Sequence, residues 1–204
     1  MKLRDIVEVI RRIDTQISVP EICMNMNSYY KDICNYAEPL VGYASIVTDG
    51  TTTLYKATDF LVAEDTPVKA DNFMKFRRVS LTDQVIKRGN EATIGDNVWQ
   101  QLTIDTLACG YLDQEGPKAF PAGYEINIEF YAYPDAITVE TDEMPLPLLN
   151  HLILWRLKAD IFSEQRQWDR TGYFNRRYER GLLEFRKMIR SSGTLNVNHT
   201  NTGI

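Results

Sequence analysis

The sequence predicts an α+β fold: a helical body, made of N-terminal helices and a C-terminal helical hairpin, with a small antiparallel β-sheet inserted. Near both ends of the chain, apolar residues recur every three or four positions, which is the spacing of one helix face. In between, residues 124–133 alternate apolar and polar side chains, as a strand with one buried face does.

The 204 residues suffice for a single domain. A chain of this length buries roughly 70% of the surface that its unfolded form exposes, so it needs no disulfide or metal to fold. We expect residues 1–38 and 143–192 to form the helical body and residues 40–141 the β-rich insert. Residues 193–204 are polar and predict an extended C-terminal tail.

Two helices are predicted at the N-terminus. The first has one apolar face, formed by Leu3, Ile6, Val7, Ile10 and Ile13. Ser18 or a residue near it is expected to cap the second helix, with Pro20 in its first turn. This helix is expected to run to about Ala37, because the residue before Pro39 disfavours helical backbone.

The first strands are predicted after Gly42. Residues 43–48 and 51–55 flank Asp49-Gly50, a dipeptide that suits a type I′ turn, so they predict a β-hairpin. Residues 59–64 are a further strand candidate.

Residues 65–110 carry the fewest regular signals. They contain a possible short helix at residues 80–87 and polar turns at 88–90 and 95–97. A stretch of this kind is typical of an insertion, or of a loop that orders against a partner.

The clearest strand covers residues 124–133. Its buried face is predicted to consist of Tyr124, Ile126, Ile128 and Phe130, and its wet face of Glu125, Asn127 and Glu129. Pro134-Asp135 then turns the chain, and residues 137–141 are expected to return beside this strand.

The C-terminal half ends in two apolar stripes at helical spacing. The first consists of Leu148, Leu152, Trp155, Ala159 and Phe162, and the second of Phe174, Tyr178, Leu182, Phe185 and Ile189. Residues 164–172 between them are polar, which predicts two antiparallel helices joined by a short connection. The alternative is one long helix kinked near Gly172. Pro145 and Pro147 suit the start of the first helix.

Charge is divided unequally along the chain, whose net charge is −5. The segment from His151 to Arg190 has ten Lys/Arg and five Asp/Glu, and the remainder has 13 and 23. This division favours directional contacts between neighbouring molecules, although a solvated helix face has the same composition. A nucleic-acid footprint is not favoured, because the whole chain is acidic.

The residues usual in catalysis and metal binding form no recognisable pattern. Cys23, Cys34 and Cys109 fit neither a disulfide framework nor a zinc site, and indicate synthesis in a reducing cytosol. His151 and His199 are the two histidines, and no nucleotide-binding, zinc-protease or nucleophile-elbow motif occurs. We therefore expect no catalytic, cofactor-binding or metal-ligating residue, no small-molecule substrate and no membrane span.

The order of segments resembles the bacteriophage head–tail connector adaptors. The resemblance rests on FYAYP (130–134), ITVETDEMPLPLLNHLILWRLKADIF (137–162) and YFNRRYERGLLEFRKMI (173–189). The opening MKLRDIVEVIRRID is similar to their first helix. Residues 65–110 lie outside the resemblance.

The resemblance implies a structural subunit of the virion, assembled in the host cytoplasm and without enzymatic activity. Such adaptors form a homo-oligomeric ring, typically of twelve copies, beneath the portal protein. The ring extends the DNA channel and docks further tail or connector proteins, with genomic DNA as passing cargo. Their C-terminal segment grips the portal, which here gives Leu195, Val197, His199 and Ile204 as partner-docking candidates.

Other functions stay open at this point. A cytosolic α+β interaction or regulatory module without catalysis is the main alternative. An enzyme without a recognisable motif is a further alternative and needs a pocket with converging polar groups. A stopper or tail-tube subunit is a related possibility.

Overall fold

The structure is a computed structural model that describes residues 2–62, 66–82, 84–89, 94–139, 143–192 and 195–196. The chain divides into two compact units. The helical unit comprises residues 1–39 and 134–195, and the β unit comprises residues 40–133 and 196–204. The predicted α+β class is confirmed.

The helical unit contains the four predicted helices, α1 (Leu3–Arg11), α2 (Val19–Ala37), α3 (Asn150–Glu164) and α4 (Trp168–Ser192). Ser18 caps α2 as predicted, because its hydroxyl accepts a hydrogen bond from the Glu21 backbone N–H at 3.3 Å. Pro20 lies in the first turn, where a missing N–H costs nothing.

The C-terminal stripes form an antiparallel helical hairpin, as predicted. Phe162 near the end of α3 stacks on Phe174 near the start of α4, with ring centroids 5.7 Å apart. Between the helices, Arg166 adopts a left-handed backbone conformation with φ of 57°. Gly172 lies inside α4, so the kinked-helix alternative is wrong. Leu148 was predicted to be buried, but it precedes α3 and is 58% exposed.

The core of the helical unit combines side chains from all four helices. Its fully buried members include Ile6, Ile10, Ile22, Met26, Ile33, Leu149, Leu152 and Ile153.

The segment around Ile137, which follows the first sheet in the chain, is bound to α2 by Asn27. The Asn27 side chain accepts from the Ile137 N–H at 2.8 Å and donates to the Ile137 carbonyl at 2.9 Å.

The returning strand predicted at residues 137–141 is therefore wrong for its described part. Residues 137–139 are not in a strand, because the backbone groups of Ile137 bond to Asn27 of α2 rather than to another strand. Residues 140–142 lie outside the described residues.

Ten strands are described: β1 (Leu40–Val47), β2 (Leu54–Lys56), β3 (Phe73–Leu81), β4 (Gln84–Val85), β5 (Lys87–Arg88), β6 (Asn97–Gln101), β7 (Thr106–Asp113), β8 (Gly116–Lys118), β9 (Glu125–Ala132) and β10 (Leu195–Asn196). The first sheet has the order β10-β1-β9-β3-β4. The second has the order β2-β7-β6-β5, with β8 paired to β7. The insert thus holds two sheets, and the second is mixed because β5 and β6 are parallel.

The clearest predicted strand is confirmed as β9, at the centre of the first sheet. It pairs antiparallel with β1 on one side and β3 on the other. Ile126, Ile128 and Phe130 are buried as predicted. Tyr124 precedes the strand and is 44% exposed, so its predicted burial is wrong.

The hairpin predicted around Asp49-Gly50 is wrong, although the turn itself exists. Gly50 has φ of +85°, and the Asp49 carboxylate accepts hydrogen bonds from the backbone N–H groups of Thr51 and Thr52. The two flanking strands belong to different sheets, because β1 pairs with β9 whereas β2 pairs with β7.

The other expectations for the insert are also corrected. The strand predicted at residues 59–64 is wrong for its described part, because Asp59 ends a 3₁₀ turn and Leu61 makes only isolated bridges. Residues 63–65 lie outside the described residues. The helix predicted at 80–87 is wrong for its described part, because residues 80–81 end β3, residues 84–85 form β4 and Lys87 begins β5; residue 83 lies outside the described residues. The stretch 65–110 contains β3 and β6, which are integral to the two sheets. Of the predicted turns, Gly95 is in a turn with φ of +91°.

Candidate assembly interface

One face of α4 is fixed against the rest of the helical unit. Phe185 and Ile189 are buried, and Tyr178 and Leu182 pack against the same core. Gly181 lies so close to α3 that a Cβ atom there would be 2.4 Å from Leu152 Cδ2. The backbones of α3 and α4 therefore approach closely. The opposite face of α4 is exposed to solvent.

A polar cluster ties α2, α3 and α4 together. Arg156 of α3 pairs with Asp160 at 3.5 Å and donates to the Asn175 side chain of α4 at 3.3 Å. Its guanidinium also lies 5.8 Å from the ring centroids of Tyr29 and Tyr178. The Tyr29 hydroxyl donates to Asp160, and burial together with this carboxylate raises the pKa of Tyr29 well above its usual range. These contacts fix the orientation of α4 against α2 and α3.

Three of the seven basic residues of α4 stack on aromatic rings within the helical unit. The guanidinium of Arg170 lies 5.3 Å from the Phe162 ring, and that of Arg186 lies 4.4 Å from the Tyr36 ring. Arg177 lies 4.9 Å from the Tyr173 ring. Cation–π contacts of this kind are typical of arginine.

The other four basic residues lie on the outward face of α4. Arg176, Arg180, Lys187 and Arg190 are exposed, and within the described part of the chain none has an ion pair or a ring contact. Together with exposed Tyr173 and Leu183 they recur at spacings of three and four, which places all six on one side of the helix. We refer to these six residues as the outer stripe of α4.

An open groove of about 600 Å³ lies on one face of the first sheet, in the β unit. It crosses β1, β9 and β3, and its side chains include Tyr43, Ser45, Arg78, Glu125, Asn127 and Glu129. Glu129 forms ion pairs with Arg77 at 3.4 Å and with Arg78 at 3.7 Å. Glu125 is exposed and has no ion pair with any described residue. We refer to this feature as the sheet groove.

The predicted docking residues lie at the C-terminus, and only one of them is described. Leu195 is in β10, which is at the edge of the first sheet. Val197, His199 and Ile204 lie outside the described residues. Their docking role stays a prediction.

The three thiols are buried. Burial raises the pKa of Cys34 and of Cys109 to about 12, so neither is a reactive thiolate at neutral pH. Within the described ranges, no cluster of three or more His, Cys, Asp or Glu residues is arranged to hold a metal ion. None of the described helices has the length and apolar character needed to cross a membrane.

Comparison with known families decides between the functional alternatives. The family model described as SU10 adaptor protein matches residues 1–198. The chain belongs to this family. It is therefore a phage adaptor, a structural protein and a component of the virion. This result confirms the resemblance to phage adaptors and does not favour a cytosolic regulatory module. No curated protein matches the chain.

Sequence reasoning identified the basic segment of the adaptor but missed the residues that form its surface. The outer stripe could have been read from the spacing of Tyr173, Arg176 and Arg180 once α4 was assigned. The wet face of β9 was predicted correctly, but its partner strands were not. The sheet groove could therefore not be assembled from the sequence.

Proposed function

We propose that the adaptor forms a closed ring of twelve copies at the head–tail connector of the virion. The ring lies beneath the portal protein, extends its DNA channel and provides the surface on which the tail docks. Family membership supports the adaptor role. The ring, its copy number and its position in the virion go beyond family membership and belong to the proposal.

The observation that carries the proposal is the unequal division of charge. Helix α4 has seven Lys/Arg and three Asp/Glu, whereas the rest of the chain has 16 and 25. In a ring, each copy presents one surface to the copy before it and a different surface to the copy after it. A basic helix and an acidic remainder on the same chain suit this head-to-tail contact.

The acidic remainder also suits DNA as passing cargo. A channel lined with lysine and arginine would bind phosphates and release counterions, which holds DNA in place. An acidic lining repels phosphates and lets the duplex slide. We infer that the outer stripe of α4 faces a neighbouring copy rather than the channel.

We propose that the C-terminal segment docks on the portal. The long helix α4 ends at Ser192, and the following residues include Leu195, Val197, His199 and Ile204. Alternating apolar and polar residues suit the addition of this segment to a partner in extended form.

A chain that ends at Ser192 tests the docking role. It lacks the proposed docking segment, including the two-residue edge strand β10, but keeps all four helices and strands β1 to β9, so we expect a folded protein that binds the portal at least about tenfold more weakly. Co-sedimentation with the portal protein of the same phage measures binding. Circular dichroism and the urea midpoint check the fold. If the truncated chain instead fails to fold, the segment is part of the core of the adaptor, and the proposed docking role is contradicted.

A further inference from the structure

The outer stripe of α4 has the composition of a protein interface. Its cations include Arg176, Arg180 and Arg190, and arginine is favoured over lysine where contacts are geometrically defined. Leu183 is 52% exposed and lies between these cations, whereas Tyr173 is 45% exposed and begins the stripe. An exposed leucine in the middle of the stripe favours an acidic protein surface over a phosphate backbone, because protein–nucleic acid interfaces are more polar.

The sheet groove is as wide as a helix with its side chains. Three neighbouring strands span about 10 Å, which is the diameter of a helix with its side chains. Glu125 and Glu129 are on the same side of β9 and about 13 Å apart along the strand. Asn127 lies between them.

The separations between cations on the stripe lie on either side of this distance between Glu125 and Glu129. Arg180 is about 10 Å along the helix axis from Lys187 and about 15 Å from Arg190. Leu183 lies between them. The order of groups on the helix (cation, leucine, cation) is therefore complementary to the order in the groove (carboxylate, amide, carboxylate).

We propose that α4 of one adaptor copy lies in the sheet groove of the next copy. This inference rests on the proposed ring and names the two surfaces that meet in it. The second copy is the occupant because both complementary surfaces are on this chain: the four cations of the outer stripe and the Glu125 carboxylate of the sheet groove, none of which has an ion pair with a described residue. Since Arg77 and Arg78 already balance Glu129, the attraction is concentrated at Glu125.

A charge swap tests the contact. Arg180→Glu with Lys187→Glu reverses the stripe, and we expect the protein concentration needed for ring assembly on the portal to rise at least about tenfold. Glu125→Lys alone should have an effect in the same direction. Combining Glu125→Lys with the reversed stripe should restore much of the lost assembly. Light scattering and negative-stain imaging measure assembly in the presence of portal protein.

The matched control is Arg4→Glu with Arg11→Glu. These arginines are also exposed, seven residues apart on one helix, and the pair makes the same change in net charge. We expect this variant to assemble like the wild type. If it fails equally, the effect is one of net charge, and the proposed contact is overturned.

Cross-linking provides a test that does not depend on charge. Leu183→Cys and Asn127→Cys in one chain place thiols at the centres of the two surfaces, and the three native thiols are buried. We expect oxidation of assembled rings to give ladders of disulfide-linked chains. Each single variant should not form ladders.

The outcomes separate the two proposals. If the wild type forms a ring, the charge-reversed variants form it equally well and the double-cysteine variant gives no ladder, the helix-in-groove contact is overturned and the proposed ring stands. A reversed stripe that blocks assembly without rescue by Glu125→Lys overturns the groove as the seat of α4. A wild-type chain that never forms a ring overturns the proposed function itself.

Discussion

Two glycines of α4 lie in opposite environments. At Gly181, an added Cβ would be 2.4 Å from Leu152 Cδ2 and 3.0 Å from Trp155 Cζ3. At Gly172, the nearest atom is Arg176 Nη1 at 3.5 Å, at the end of a flexible side chain. The same substitution should therefore change stability in opposite directions within one helix.

We expect Gly181→Ala to lower the free energy of unfolding by about 1 kcal/mol, because overpacking of about 1–3 kcal/mol exceeds the gain in helix propensity. Gly172→Ala should raise the free energy of unfolding by about 0.5–1 kcal/mol, since only the propensity gain remains. Urea denaturation of both variants measures the difference. Equal effects at the two positions would show that the close approach of α3 and α4 is absent.

The buried thiols predict a loss of stability in alkali. The pKa of Cys34 and of Cys109 is raised to about 12 in the folded chain, against 9.0 for an unburied thiol. Each thiol stabilises the fold fully below pH 9, and this contribution is lost as the pH rises towards 12. Between pH 9 and 10 we expect a loss of about 1 kcal/mol per thiol.

Urea denaturation at pH 7, 9 and 10 measures this effect. Cys34→Ala and Cys109→Ala should each lower stability at pH 7 through lost packing, yet reduce the loss between pH 9 and 10. A wild-type stability that is constant over this interval would mean that the thiols ionise as readily in the folded chain as in the unfolded one.

At the scale of elements, one side chain joins α2 to the segment that follows the β unit. Asn27 makes two hydrogen bonds to the backbone of Ile137, which is buried. We expect Asn27→Ala to lower the free energy of unfolding by about 2 kcal/mol, because both backbone groups of Ile137 lose their partner. Asn25→Ala is the matched control. Asn25 is on the same helix and makes no side-chain hydrogen bond with the described residues, so this change should be within about 0.5 kcal/mol of neutral.

The helices could be predicted from the sequence because their signals are local. The cap at Ser18, the proline at position 20 and the apolar stripe of α2 all lie within one segment and indicate the same structure. The polar stretch before Trp168 likewise separated α3 from α4. Asn27 and Ile137, in contrast, are 110 residues apart in the sequence. No local pattern around either residue predicts their contact.

The strand pairings could not be predicted, because they depend on distant partners. Asp49-Gly50 has the residues of a hairpin turn, yet β1 finds its partner in β9, near residue 128. A turn dipeptide determines only the local backbone conformation. Which strand pairs with β1 depends on the burial of apolar side chains from distant parts of the chain. The same competition placed Ser80 and Leu81, at the start of the predicted helix 80–87, in β3 beside β9.

At the scale of the whole molecule, the sequence showed that charge is divided but not where the charges lie. The outer stripe required the orientation of α4, which depends on Gly181 and on the cluster around Arg156. The sheet groove required the order β1-β9-β3. The docking residues proposed at the C-terminus still depend on family resemblance and on alternating composition.

The central claim is that copies of this adaptor close into a ring on the portal. Negative-stain imaging and mass measurement of the purified 23.6 kDa chain, mixed with the portal protein of the same phage, test it most directly. We predict a ring with a central hole, built from twelve copies and seated coaxially on the portal. A chain that stays monomeric and does not associate with the portal would contradict this account.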